Sequence, residues 1–155
     1  MRSADAGPGT RAPKVESTLG LLRAAEDWRR IPRILPLAFS PDAEVAGAAA
    51  AVLQRLLAAV PASRLPWLEK AVRRDQAVGW WNDRYEPAWS ELRPETISTG
   101  AAALGPAVVS LCTFHPSGWV RAEALAVLQR RFAGDALPFF ILRLSDWVPV
   151  IRSEA

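Results

Sequence analysis

The sequence predicts an all-α fold built from about three to four helix pairs, and three observations lead to this prediction. Apolar residues recur at helical spacing, proline and glycine breakers fall at helix-length intervals, and the alternation of period two that marks strands is absent. Half of the 155 residues are apolar and 23% are charged, which is enough apolar material for a core. A chain of this length forms one compact domain or a short stack of repeated units.

Glycine, proline and capping residues divide the chain into segments. We expect residues 1–15 to form a disordered leader, since Gly7 and Pro8 interrupt this stretch and Val15 alone offers apolar anchorage. Residues 16–155 then form the predicted helical repeat domain. Its helices are expected at residues 17–30, 43–60, 63–74, 94–98, 106–113, 119–132 and 137–144. The sequence stops a turn or two into the next expected helix, so we expect the last repeat to be incomplete.

Residues 75–93 interrupt the helical pattern, and we interpret them as a long structured loop. The stretch from Gly79 to Trp89 holds three of the seven tryptophans and the only tyrosine. Since Trp, Tyr and Arg dominate interface hot spots, this stretch is a candidate partner-binding surface. Its candidate residues are Trp80, Trp81, Arg84, Tyr85 and Trp89. Two alternatives stay open: the indoles fold inward and fill a gap, or they stack a nucleobase beside Asp83.

The turns of the chain can be aligned with one another, which indicates an internal repeat. Ser40, His115 and Asp146 occupy equivalent turn positions, separated by 75 and 31 residues. The longer separation suggests two units, one of them degenerate. Each turn follows an apolar helix that opens with a proline, and equivalent residues follow each turn at fixed distances. These are Val45, Val120 and Ile151; then Ala46, Arg121 and Arg152; then Ala49, Ala124 and Ala155.

Two of these units resemble HEAT repeats. In residues 137–152 an apolar first helix ends at Asp146, and an apolar residue followed by arginine opens the second helix. Residues 106–124 follow the same pattern, whereas Ala46 replaces the arginine in the first unit. The resemblance covers about two-thirds of the chain and is weakest across residues 67–95. It implies an α-solenoid with a scaffold or protein-binding role.

The stacking of repeats gives four turn residues a structural role. One helix pair cannot bury its own apolar face, so neighbouring pairs must stack. A turn aspartate can cap the next helix, and an arginine can reach the turn acid or the carbonyl groups of an adjacent unit. We assign this role to His115, Arg121, Asp146 and Arg152. The helix at residues 137–144 lacks a full partner helix, so we expect its apolar face to be exposed in a lone monomer. Three ways of covering it stay open: further units of a longer array, self-association with a second copy, or the leader folding back.

The composition argues against an enzyme. Cys112 is the only cysteine and His115 the only histidine, which excludes an intramolecular disulfide and a multi-histidine metal site. No serine or cysteine nucleophile has support from a fixed partner, so we expect no catalytic residue, no metal and no cofactor. The expected function is therefore a non-enzymatic scaffold or interaction module that binds another protein.

Charge and hydropathy limit the partners. The net charge is only +3 and acidic residues are interspersed among the arginine pairs, so we expect no nucleic-acid partner. The alternative is a nucleic-acid-binding or DNA-base-processing HEAT-like protein, because HEAT-like DNA glycosylases combine aromatic and acidic residues in a basic groove. No stretch is apolar enough to span a bilayer and no apolar signal region is present, so we expect a cytoplasmic protein without membrane contact.

Overall fold

The computed structural model describes residues 13–77, 89–134 and 136–146. Within these ranges the regular structure consists of helices, and no strand occurs. The all-α prediction is therefore confirmed. The seven α-helices of these ranges are α1 (Pro13–Arg23), α2 (Ile31–Ile34), α3 (Ala43–Ala58), α4 (Leu65–Ala77), α5 (Pro94–Cys112), α6 (Gly118–Arg131) and α7 (Leu137–Arg143).

The first predicted helix, at residues 17–30, is shifted and split. Helix α1 begins at Pro13, inside the stretch predicted as a leader, and it ends at Arg23; residues 1–12 lie outside the described residues. The chain then breaks, and Asp27 starts a separate 3-10 turn at Trp28–Arg30 by accepting a hydrogen bond from the Arg29 backbone N–H. An aspartate at the N-cap accepts hydrogen bonds from the first backbone N–H groups of a helix. Asp27 lies inside the helix predicted at residues 17–30, so it marks the start of a new helical segment there.

Helix α3 is the central helix of the first half. Asp42 caps it by accepting hydrogen bonds from the backbone N–H groups of Glu44 and Val45. One apolar stripe of α3 is buried, as the helical spacing predicts, against α1, the α2 region and α5. The buried residues of this stripe are Val45, Ala49, Val52, Leu53 and Leu56.

Helix α5 corrects the predicted short helix at residues 94–98. The helix does not stop at Gly100, and the Ser98 and Thr99 hydroxyls donate to the Glu95 carbonyl within it. It breaks instead at Gly105, whose φ of 72° and ψ of 170° suit glycine alone, and a second helical segment follows to Cys112. The kink lies where Pro106 was predicted to open a helix.

The second half of the chain folds onto α3. Helices α5 and α6 form an antiparallel pair, and the side-chain oxygen of Gln54 on α3 accepts a hydrogen bond from the Ala107 N–H just beyond the kink. Helix α7 packs on this pair through Phe139, whose ring centroid lies 5.7 Å from that of Phe114. This packing sets the position of the last helix.

Helix length and hydropathy bear on a membrane location. In the described part of the chain, no single helix combines the length and the apolar character that crossing a membrane requires. Helix α3 and the stretch Ala62–Arg74 reach those limits only as a joined pair, and that pair is bent by 110°.

Candidate functional site

Three of the four predicted repeat positions meet in the interior. Arg121, in the first turn of α6, is fully buried and holds Asp146 just beyond α7. Its Nε donates to Asp146 Oδ2 at 3.0 Å and its Nη2 donates to Oδ1 at 3.1 Å. Such a bidentate pair is directional as well as strong, because the planar guanidinium matches the carboxylate. The contact therefore ties the end of α7 to the start of α6.

The same guanidinium holds the turn that precedes α6. Its Nη1 donates to the carbonyl oxygens of His115 and Pro116, at 2.9 and 2.7 Å. Arg121 thus joins the turns at His115 and Asp146, which the sequence alignment treats as equivalent. Arg152, the fourth predicted position, lies outside the described residues.

A second arginine extends these contacts to α4. Arg143 Nη1 donates to Asp146 Oδ2 at 3.1 Å, and its Nη2 donates to Glu69 Oε2 at 2.6 Å. Arg73 also pairs with Glu69, at 2.8 Å. We call these residues the arginine network: Arg121, Asp146, Arg143, Glu69 and Arg73. It connects α6, the end of α7 and α4, and its inner side chains are nearly inaccessible, with 1% of Arg121 and 2% of Asp146 exposed.

His115 is a neutral structural residue in this arrangement. Its Nδ1 accepts a hydrogen bond from the Ser117 backbone N–H, so the ring proton is on Nε2, which donates to the Trp89 carbonyl at 2.9 Å. Burial lowers the pKa of His115, and the nearby Arg121 charge lowers it further, while the hydrogen bond to the Trp89 carbonyl acts in the opposite direction. Both ring nitrogens are occupied by backbone groups, so the ring has no nitrogen left to act as a base on a substrate.

Trp89 was predicted as a partner-binding residue, and the structure corrects this assignment. The side chain is buried, with ring centroids 5.6 Å from Phe39 and 4.8 Å from His115. The indole fills the gap between the turn after α2 and the turn before α6, because a large flat ring can contact both at once. The other candidates of this stretch, Trp80, Trp81, Arg84 and Tyr85, lie outside the described residues.

Helix α7 exposes a second apolar face. Leu137, Ile141 and Leu144 are 63%, 57% and 57% exposed, and their spacing of four and three residues places them on one side of the helix. We call these three residues the outer stripe. The opposite side, with Phe139 and Arg143, is buried against the rest of the chain. Helix α7 therefore buries one side and leaves the apolar outer stripe exposed.

The sequence holds three pairs of adjacent arginines, beginning at Arg29, Arg73 and Arg130, and nearby carboxylates partly neutralise each pair. Arg29 contacts Asp27 at 3.5 Å, Arg73 contacts Glu69 at 2.8 Å and Arg130 contacts Glu123 at 3.2 Å. One member of each pair is thus engaged with a carboxylate. This pairing reduces the positive charge that the pairs can offer to a phosphate backbone.

The described part of the chain offers little for small-molecule chemistry. No group of three or more metal-binding side chains occurs among the residues described. Cys112 is fully buried, and burial raises the pKa of its thiol well above the ordinary range, so the reactive thiolate is disfavoured. A shallow open groove of about 350 Å³ lies between the turn after α2 and α5, with Phe39, Leu92 and Leu104 in its walls.

Sequence reasoning missed two members of the arginine network. Glu69 and Arg143 were not singled out, although Arg143 is the only charged residue in the otherwise apolar stretch 137–144. A lone charge in an apolar helix is a signal for a buried pair, because burial without a partner is costly.

Comparisons with protein-family models, with curated proteins and with solved structures gave no match.

Proposed function

We propose that this chain is a non-enzymatic interaction module, an α-solenoid of HEAT-like helix pairs, that binds an apolar helical surface of a protein through the outer stripe. The observation that carries the proposal is the exposure of Leu137, Ile141 and Leu144 on a helix whose other face is already buried. A stripe of large apolar side chains along one side of a helix is normally buried against a neighbouring surface. We therefore expect a protein partner to cover the outer stripe when the module functions.

The arginine network supports this proposal, because it fixes the helix that carries the outer stripe. Asp146 and Arg143 hold the end of α7 to α6 and α4 through three hydrogen bonds between charged groups. A surface that is held rigid before binding loses less conformational entropy when a partner arrives.

The equivalent positions support stacked helix pairs. Val45 and Val120 are both fully or almost fully buried, and so are Ala49 and Ala124 four residues later in each helix. Small residues at the same buried position allow the second helix of each pair to approach its neighbours closely. Arg121 adds a contact from one turn to the next, which is the geometry that stacking of successive units requires.

Two features favour a protein partner over catalysis or nucleic acid. Both nitrogens of the single histidine bind backbone groups, and each arginine pair has one member engaged with a carboxylate. We expect no binding to duplex or single-stranded DNA or RNA that weakens steeply between about 50 and 200 mM salt. Fluorescence anisotropy with labelled oligonucleotides measures this, and tight, salt-sensitive binding would favour the alternative function.

Site-specific photo-crosslinking in the native cells tests the proposal directly. Benzoylphenylalanine at Ile141 is expected to give a discrete protein adduct, identified by mass spectrometry. The matched control carries the same group at Leu21, which is also 57% exposed but lies on α1. The adduct should disappear when Leu137 and Leu144 are both changed to glutamate. Equal adducts at both positions, or none at Ile141, would contradict the proposal.

A further inference from the structure

We infer that the outer stripe pairs with the outer stripe of a second copy of this chain, in an antiparallel two-fold arrangement; this inference rests on the proposed function and names the partner of the same surface. Three features of α7 carry it: the spacing of its exposed residues, the absence of charge on the exposed side, and the size of the stripe. The first two are properties that a surface needs in order to match itself, and the third sets the strength of the match.

The spacing makes the outer stripe self-complementary. Ile141 lies near its middle, with Leu137 about 6 Å away along the helix axis in one direction and Leu144 about 4.5 Å away in the other. When two such helices run antiparallel about a two-fold axis at Ile141, the two Ile141 side chains meet. Leu137 of each copy then lies opposite Leu144 of the other. A two-fold interface uses the same patch twice, so this near-symmetry is the property that it requires.

The charge distribution permits the same pairing. In a two-fold contact a charge close to the axis meets the same charge of the other copy, which opposes association. The outer stripe carries none. The only charged residue of α7 is Arg143, which lies on the buried side and is paired with Asp146 and Glu69. Two copies can therefore bring their outer stripes together without placing like charges opposite one another.

The size of the stripe sets the strength of the pairing. The three side chains expose roughly 200 Å² of apolar surface, from the areas typical of leucine and isoleucine. A stable interface buries about 800 Å² on each partner. The dimer should therefore be weak and dependent on concentration, with a dissociation constant of roughly 100 μM to 1 mM. A second copy of the chain can occupy such a weak surface where the local concentration of the protein is high.

Disulfide trapping tests the arrangement. Cys112 is fully buried and its pKa is raised, so a thiol introduced on the surface is the reactive one. Ile141→Cys should form a disulfide-linked dimer under mild oxidation at least tenfold faster than Leu21→Cys, the control of equal exposure. An equal mixture of Leu137→Cys and Leu144→Cys should give more cross-linked dimer than either variant alone. Similar rates for Ile141→Cys and Leu21→Cys would overturn the inference.

Sedimentation gives a second readout without a covalent bond. At concentrations up to about 1 mM the average mass of the wild-type protein should rise above the 16.9 kDa of one chain. Leu144→Glu should abolish the rise because it buries an unpaired charge against Leu137 of the other copy, whereas Leu21→Glu should retain it. Circular dichroism establishes that both variants are folded. A wild-type mass that stays at one chain would also overturn the inference.

The photo-crosslinking experiment separates this inference from the proposed function. An adduct at Ile141 with twice the chain mass supports both. An adduct with a different protein overturns the dimer and leaves the proposed function standing. A cross-link from Ile141 to residues 147–155 of the same chain overturns both, because the outer stripe is then covered from within.

Discussion

Replacing Arg121 with methionine tests the arginine network most directly. The side chain is fully buried, and methionine fills a similar volume without the charge. The change removes the two hydrogen bonds that Asp146 accepts from Arg121, and it leaves the His115 and Pro116 carbonyls without the guanidinium donor. Asp146 retains the bond from Arg143. The predicted result is a large loss of stability.

The magnitude follows from the burial of the pair. Removing one partner of a buried ion pair costs about 3–5 kcal/mol, because the remaining charge stays out of water. For a chain of this length, each kcal/mol lowers the melting temperature by about 2–4 °C, so the expected fall is roughly 6–20 °C. Arg130→Met is the matched control on the same helix. Its side chain is 60% exposed and pairs with Glu123 alone, so its loss should stay below about 1 kcal/mol.

Urea denaturation, followed by circular dichroism, measures the free energy of unfolding without the screening that a charged denaturant brings. The double variant Arg121→Met/Asp146→Leu should lose less than the sum of the two single variants, by about 1–3 kcal/mol, since the two residues share one contact. If Arg121→Met unfolds within about 1 kcal/mol of the wild type, or if the two changes are additive, the account of the network given above is wrong.

Three further predictions concern single residues. Gly105→Ala should lose about 1–3 kcal/mol of unfolding free energy, because its φ of 72° strains any residue with a side chain, whereas Gly47→Ala within α3 should gain up to about 1 kcal/mol. Burial lowers the pKa of His115, so the unfolded chain binds the proton more readily; stability should fall as the pH drops below about 6.5, and His115→Gln should flatten that fall. Cys112 should react with a thiol reagent at pH about 8 only after denaturation, since its thiol is buried and its pKa raised. Labelling of the native protein within seconds would contradict this.

Apolar spacing was sufficient to predict the helices that pack with a regular stripe. Helices α3, α6 and α7 begin and end within two residues of their predicted limits. Each is bounded by a clear signal, such as Asp42 before α3. The buried positions Val45 and Val120 also follow from spacing alone, because side chains three and four residues apart share one face of a helix.

Local signals were misread where tertiary contacts decide the outcome. Gly100 looks like a helix stop, yet it lies within α5, and the break falls at Gly105, where Gln54 of a distant helix meets the freed N–H of Ala107. Tryptophan is a residue type that is common in interfaces, yet the Trp89 ring packs against Phe39 and His115. No local pattern in the sequence relates those two positions to Trp89. Spacing along the chain carries no information about such pairings.

Two kinds of contact hold the buried side of α7, and the difference between them defines its orientation. Contacts between apolar rings, such as Phe139 on Phe114, tolerate a range of rotations with little change in energy. The bidentate bond from Arg121 to Asp146 does not, since both hydrogen bonds form at one geometry only. Buried ion pairs contribute little net stability compared with apolar packing, because both charges lose their hydration. The arginine network therefore acts mainly through geometry. It fixes one rotation of α7 about its own axis, and that rotation turns the outer stripe, with Ile141 at its middle, toward the outside.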